Sequence, residues 1–444
     1  MKIITEISPY MIKLAGINNE KLEYFEVIPN DDCLNNIYLG KILEIHKGLN
    51  NAFVSFDNKI GYLDIEKSKS ILISQEKWPV KKNDIVIVQV KKVAQKTKKA
   101  KLTMDIEIKS DNLIFFPFNN RKFFSKKINV SEKKRISEII KDKRLKDKSF
   151  LFREKIINEN NEVILDSCFK LIKKWDLIYN KSKYEMPEKI IYKESLEGKF
   201  ADYVDIGDVL INDPNSIFTK NNKFRISDEI PLFDKYNLRE EPENLCKNIH
   251  EFNKSRIIIE ELESLTAIDV DTGSYKGNEN VNKSLFETNV DAVDNIARFL
   301  RLRNVQGAII IDFINLKDKN KRDELRQRLA YCMKKDFRKS KVFYFTNLGF
   351  LELEREGKRA RLSEIIYNDK GNDKLSQTYL FDKIFWFLER NRKNYYNSNC
   401  LLYLKEQYRN YEMQKEFGEI CKNFNLKITC EFKKQEEDYV FKIK

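Results

Sequence analysis

Two hydrophobic runs in this chain each end on an aspartate, about forty residues apart. The first is Leu265-Thr266-Ala267-Ile268-Asp269-Val270-Asp271-Thr272-Gly273, and the second is Gly307-Ala308-Ile309-Ile310-Ile311-Asp312-Phe313. Both read as buried strands, and a carboxylate at the end of such a strand must be solvated, paired or metal-bound, because burying it bare costs several kcal/mol. Three carboxylates (Asp269, Asp271 and Asp312) without a histidine or cysteine cluster suit a hard divalent cation such as Mg²⁺.

The surroundings of these runs are regular. Val290–Arg303 has the period of an amphipathic helix, with Val290, Val293, Ile296, Ala297 and Leu300 on one face and Arg298, Arg301 and Arg303 elsewhere. Asn289 is its expected N-cap. Strand-like segments at Ile257–Glu260 and Lys341–Thr346 and a helix over Asp323–Lys335 complete a layered α/β pattern. Arg355, Lys358 and Arg359 follow the next turn, as substrate contacts or as a solvated basic face.

The 444 residues are enough for roughly two to four domains. Short alternating strands from Ile37 to Val90, separated by turn residues such as Asn50-Asn51 and Asp57-Asn58, suggest a small barrel of the OB type. Phe53, Phe56 and Tyr62 interleave with lysines there, so they either stack bases or fill the barrel. The net charge of +14 is concentrated: Lys91 to Lys155 holds 21 Lys+Arg against 8 Asp+Glu, an excess of 13. Localised positive charge is the footprint of a polyanion-binding surface. Residues 105–190 read as strands and basic helices, Ile230–Phe233 as a loop, and the last 75 residues as helical and basic.

The seven cysteines are odd in number, and no two form a C-x-x-C pair, which argues against a disulfide framework and a zinc site. No apolar run approaches the ~20 residues of a membrane span, and the first residues lack a signal-peptide pattern. A cytoplasmic protein is expected.

The run from Leu265 to Gly273 resembles the active-site strand of the ribonuclease E/G family. So do Glu287-Thr288-Asn289, Ile296–Asn304, the Gly307–Phe313 strand and Leu348–Leu353, while Asn36–Ile42 and Asn51–Val54 are similar to the family's S1 domain. The resemblance covers roughly residues 1–365. It implies a multidomain α/β chain: an RNase-H-like fold (1–35 and 191–250) interrupted by an S1 barrel (36–104) and a 5′-sensor-like basic region (105–190). A deoxyribonuclease-I-like catalytic domain (251–365) and a helical C-terminal region (366–444) follow.

By motif match the resemblance places Mg²⁺ on Asp269 and Asp312, with Mn²⁺ an acceptable substitute, and RNA contacts on Phe53, Tyr62, Lys98 and Arg153. Three positions depart from the family pattern. Asp271 stands where the family usually has Asn, and its carboxylate acts as a third ligand or orienting group or else weakens turnover. Glu154 follows Arg153 where a hydroxyl residue is usual, which puts 5′-end sensing in doubt. Tyr367–Asn372 holds no cysteine where the family has a C-P-x-C zinc link, so no zinc is expected and any homo-oligomer must be held another way.

The implied activity is endonucleolytic hydrolysis of single-stranded RNA, leaving a 5′-phosphate and a 3′-hydroxyl. Neither His46 nor His250 lies in these motifs, which disfavours a histidine-based mechanism. Two other readings stay open: an RNA-binding scaffold with little catalysis, and a Mg²⁺-dependent phosphatase, which would need neither the barrel nor the basic stretch.

Overall fold

The computed structural model describes residues 1–65, 80–95, 98–110, 112–119, 122–195, 198–199, 208–212, 224–226, 230–252, 255–272, 281–314, 318–368, 374–411 and 413–443. The chain forms two compact units, one of Met1–Asp32 with Ile206–Lys444 and the other of Cys33–Asp205.

In the first unit, strands β1 (Lys2–Ile7), β2 (Met11–Asn18) and β3 (Lys21–Pro29) form an antiparallel meander. The distant strands β14 (Asp208–Ile211) and β15 (Phe224–Ile226) extend it in parallel, giving the order β15-β14-β1-β2-β3. Ile230–Phe233, expected as a loop, instead runs into a helical turn at Leu232–Lys235. The reason lies across the sheet: buried Glu6 accepts from the Phe233 amide at 2.8 Å and binds Arg239 at 2.8 Å, tying the turn to β1.

The second sheet of this unit carries the aspartates. Its order is β16 (Ile249–Glu251), β17 (Arg256–Glu261), β18 (Leu265–Asp271), β19 (Gly307–Asp312), β21 (Leu351–Arg355) and β20 (Ser340–Phe345). Only β18 and β19 run parallel. The helix Val281–Leu302 makes their crossover, and the helix Lys319–Cys332 follows. Gly307 opens β19 with φ +88°, a conformation other side chains rarely adopt. One sheet face is covered: Thr266, Ile268, Val270, Ile309 and Ile311 are buried, and the apolar ones share a core with Val293, Ile296, Ala297 and Leu300 of the crossover helix.

The crossover helix starts earlier than its period suggests, so Asn289 lies inside it and caps nothing. Arg301 and Arg303 are not solvated either. Both are buried, Arg303 on Glu261 at 2.7 Å and Arg301 on Glu23 at 2.7 Å.

The C-terminal region departs from the helical expectation. The helix Gln377–Arg390 is present, but β22 (Asn399–Lys405), β23 (Lys427–Lys433) and β24 (Tyr439–Ile443) form a three-stranded sheet. Cys400, Leu402 and Leu404 alternate inward and pack on the same core as Phe424 of the helix Met413–Phe424. This period of two is short and flanked by lysines, which masks it in composition.

The second unit holds a closed barrel of β4 (Ile37–His46), β5 (Asn51–Phe56), β6 (Lys59–Asp64), β8 (Ala100–Thr103) and β7 (Ile85–Lys92), with β7 returning to β4. Closure demands close approach: a Cβ on Gly61 would lie 2.6 Å from Leu102 Cδ1. The short strand β13 (Ile190–Tyr192) pairs with β4. Beside it, β9 (Ile108–Lys109), β10 (Leu113–Phe116), β11 (Phe123–Phe124) and β12 (Ser149–Phe152) form a four-stranded sheet. Helices Val130–Ile139 and Asn161–Ser182 share its core through Ile136, Ile164, Cys168 and Trp175.

Candidate active site

The parallel register of β18 and β19 sets Asp269 directly opposite Asp312. Neighbouring strands lie about 4.8 Å apart, and side chains in register share a face. Both aspartates stand on the opposite face, exposed, towards the C-terminal ends of their strands. Partial burial pushes the Asp312 carboxyl above the usual carboxylate range, and the charge of Asp269 adds to the rise. Two like charges held together by the fold invite a cation.

The backbone beyond Asp312 is fixed from two sides. Buried Asn289 donates to the Ile314 carbonyl at 2.8 Å and accepts the Ile314 amide at 3.0 Å. Phe313 is buried against Phe345, with ring centroids 6.2 Å apart. Sequence reasoning missed this clamp, although its signal was visible in the Glu287-Thr288-Asn289 motif, where a buried amide inside a helix needs a partner.

Asp271 faces the same side as Asp269 but is drawn elsewhere. Its Oδ2 accepts from Arg256 Nη2 at 2.6 Å, and its Oδ1 accepts from the Thr272 amide at 2.6 Å. Among the described residues no group of three His, Cys, Asp or Glu is placed to hold a metal. Among the described residues, the carboxylates that could hold a cation are the pair Asp269 and Asp312. That pair fits Mg²⁺, which usually takes one or two carboxylates and completes its shell with water and substrate phosphate.

Other expected residues find different surroundings. Arg355 is buried on Asp336 at 2.7 Å, and Arg359 on Glu26 at 2.8 Å, so neither belongs to a solvated basic face. His250 packs on Phe299 at 4.1 Å between ring centroids, and burial together with Arg303 holds it down at about 4. It is neutral near pH 7.

On the barrel, Phe53 and Tyr62 are cross-strand neighbours on β5 and β6, both half-buried on the outer surface. The Tyr62 hydroxyl accepts from Asn51 at 3.3 Å, His46 meets Phe53 edge-on, and the Lys99 ammonium lies 5.7 Å from the Phe53 ring centroid. Phe56 is fully buried against Tyr38 and belongs to the barrel core, not to a stacking surface. Alternation decides this, since β5 turns Ala52, Val54 and Phe56 inward and Phe53 outward. Lys98 pairs with Gln95 ahead of β8, and its neighbour Lys99 is the lysine that lies near the Phe53 ring.

Arg153 follows β12 and is the N-cap residue of the 3₁₀ turn Glu154–Asn158. Among the described residues its guanidinium takes no ion pair, while Glu154 pairs with Lys127 at 2.9 Å. Of the stretch Tyr367–Asn372, where the family pattern has the zinc link, residues 369–372 lie outside the described residues. No helix among the described residues is long and apolar enough to cross a membrane.

Residues 107–358, more than half of the chain, match the Ribonuclease E/G family. The chain belongs to the ribonuclease E/G family. It is 26% identical over 402 residues to ribonuclease G of Haemophilus influenzae, covering 83% of this chain and 82% of that protein. Ribonuclease G of Escherichia coli strain K12 is 24% identical over 401 residues, with the same coverage. Ribonuclease E of Buchnera aphidicola subsp. Schizaphis graminum is 27% identical over 386 residues, which is 80% of this chain and 40% of that protein. The family match includes Asp269, Asp312 and Asn289 but begins after the barrel, so Phe53 and Tyr62 rest on their own geometry.

Replacing Phe53 or Tyr62 by Ala is expected to weaken binding of an unstructured oligoribonucleotide. Loss of one base–aromatic stack is worth about 1–3 kcal/mol, or roughly 5- to 150-fold. Fluorescence anisotropy on catalytically inactivated protein checks this; Phe53→Ala binding as tightly as the parent would remove the barrel face from the site.

Proposed function

We propose that this protein is an endoribonuclease that hydrolyses single-stranded RNA with a divalent cation held by Asp269 and Asp312. The observation that carries the reading is the pair of exposed, in-register carboxylates on one sheet face, with the Asp312 carboxyl raised partly by its neighbour. A bound Mg²⁺ or Mn²⁺ supplies Lewis-acid stabilisation of phosphate charge and a hydroxide-like water. The chain's own part is to hold the two oxygen donors side by side, to fix the backbone after Asp312 through Asn289, and to leave the face open to a strand. In-line attack of water would leave a 5′-phosphate and a 3′-hydroxyl.

The domain reading that goes with this function assigns the sheet of β1–β3, β14 and β15 to an RNase-H-like fold and the sheet of β16–β21 to a deoxyribonuclease-I-like catalytic domain. It assigns the closed barrel to an S1 domain and the four-stranded sheet with its helices to a 5′-sensor-like region. Phe53, Tyr62 and the lysines before β8 are the proposed single-strand contacts. Arg153 is the proposed 5′-phosphate contact, weakened by the adjacent Glu154. Mixed aromatic and cationic surfaces bind strands with little sequence preference.

The test is cleavage of an end-labelled, unstructured A/U-rich RNA. Internal cuts that disappear with EDTA and return with Mg²⁺ are expected, with less than about threefold preference for a 5′-monophosphate over a 5′-hydroxyl end, because Glu154 sets a like charge beside the phosphate site. RNA binding without cutting at any divalent cation would turn the assignment to a scaffold.

A further inference from the structure

Asp271 is two residues beyond Asp269 on one strand face, about 7 Å along the strand. A carboxylate free at that position would add a third negative charge to a pair already in repulsion. It would also reach for the same cation, displacing the water or phosphate oxygen that completes a Mg²⁺ shell. The sheet prevents both. Strand β18 lies between β19, which carries Asp312, and β17, which carries Arg256 directly opposite Asp271. The guanidinium therefore pulls from the side away from Asp312 and takes Oδ2 at 2.6 Å, while the Thr272 amide takes Oδ1 at 2.6 Å. Both oxygens of Asp271 are engaged, and the pair is only partly exposed, 33% for Arg256 and 43% for Asp271.

We propose that Arg256 is a positioning residue that holds the Asp271 carboxylate away from Asp269 and Asp312, so that the catalytic cation is bound by two carboxylates of this chain and keeps open places for water and an RNA phosphate. The proposal rests on the metal-dependent reading above. Arg256 acts through Asp271 and not on the reacting atoms. Its rigid fork reaches across one strand spacing to a carboxylate, which a neutral residue would not hold by charge.

Mn²⁺ binding to the full chain without RNA, followed by electron paramagnetic resonance, separates this from a purely structural role. Asp271→Asn is expected to change Mn²⁺ affinity by less than about twofold. Arg256→Gln frees the third carboxylate and is expected to tighten Mn²⁺ by about tenfold while slowing cleavage at saturating RNA by a similar factor. The double variant Arg256→Gln/Asp271→Asn is expected to return both quantities to near the parent values, and Arg256→Lys to fall between. Mn²⁺ affinity lost in Asp271→Asn would make Asp271 a ligand and overturn the proposal, as would an Arg256→Gln effect that persists in the double variant. Should Arg256→Gln fail to fold, the Asp271→Asn and Arg256→Lys results decide it alone. Failure of the parent reading looks different: Mn²⁺ binding that ignores Asp312→Asn removes the metal site itself, and this proposal with it.

Discussion

Asp312→Asn is expected to lower RNA cleavage by on the order of 10³-fold or more, about 4 kcal/mol of transition-state stabilisation, with RNA affinity nearly unchanged. The substitution keeps shape and removes one of two oxygen anions from the in-register pair. Single-turnover cleavage of a labelled oligoribonucleotide, beside anisotropy on the same preparation, measures both quantities. A variant that cuts at a tenth of the parent rate would show that the metal, if one is used, sits elsewhere.

The same variant has a second signature. Partial burial and Asp269 raise Asp312, so the folded chain binds a proton there more readily than the unfolded chain does. The cost of keeping Asp312 ionised is present above its raised folded value and is relieved as pH falls through it towards the ordinary carboxylate range. Metal-free protein should therefore gain from Asp312→Asn a small rise in melting temperature near pH 7 that fades on acidification. Cation affinity runs the other way, since protonation competes with the metal in the same window. Activity against stability is the trade expected of a site that holds like charges together.

Asp382→Ala is the variant expected to cost the most stability, about 3–5 kcal/mol. Asp382 is fully buried on the helix Gln377–Arg390 and meets Lys13 of β2 at 2.5 Å, Ser8 Oγ at 2.7 Å and Trp386 Nε1 at 3.1 Å. Lys13 is itself only 2% exposed, so truncating its partner strands an ammonium in the core. Denaturant midpoints measure the loss. Replacing both partners together, Lys13→Met with Asp382→Leu, should recover most of it, because neither charge is then left unpaired. A single Asp382→Ala variant as stable as the parent would mean that Lys13 finds water or another partner. The network also answers what the last 75 residues do: Leu380, Phe381, Ile384 and Trp386 share one core with Met11, Phe25 and Phe233, so this region helps to hold the N-terminal sheet.

The crossover helix, the two strands and their terminal aspartates were legible because each depends on neighbours two to four residues away. Asp269 and Asp312 needed nothing more than two apolar runs and a helix between them. The arginines were not legible. Arg359 pairs with Glu26 and Asp32, separated from it by 333 and 327 residues. No local pattern distinguishes such an arginine from one that contacts RNA. Asn289 was read as a cap because Asn before an apolar period usually is one, and only the chain returning at Ile314 gives it another use. Phe53 and Phe56 differ by three residues and carry the same ring, and strand parity with barrel closure sends one out and the other in.

The sequence by itself determined the family, the carboxylates that end β18 and β19, and the barrel strands, since periodicity and motif spacing are written along the chain. Only the tertiary structure decided which charges stand free and which are spent on one another. Asp269 and Asp312 are exposed, Asp271 is held by Arg256, and Arg355 and Arg359 are buried on acids. The physical reason is that a long charged side chain chooses its partner by position in space, and desolvation makes that choice costly to change.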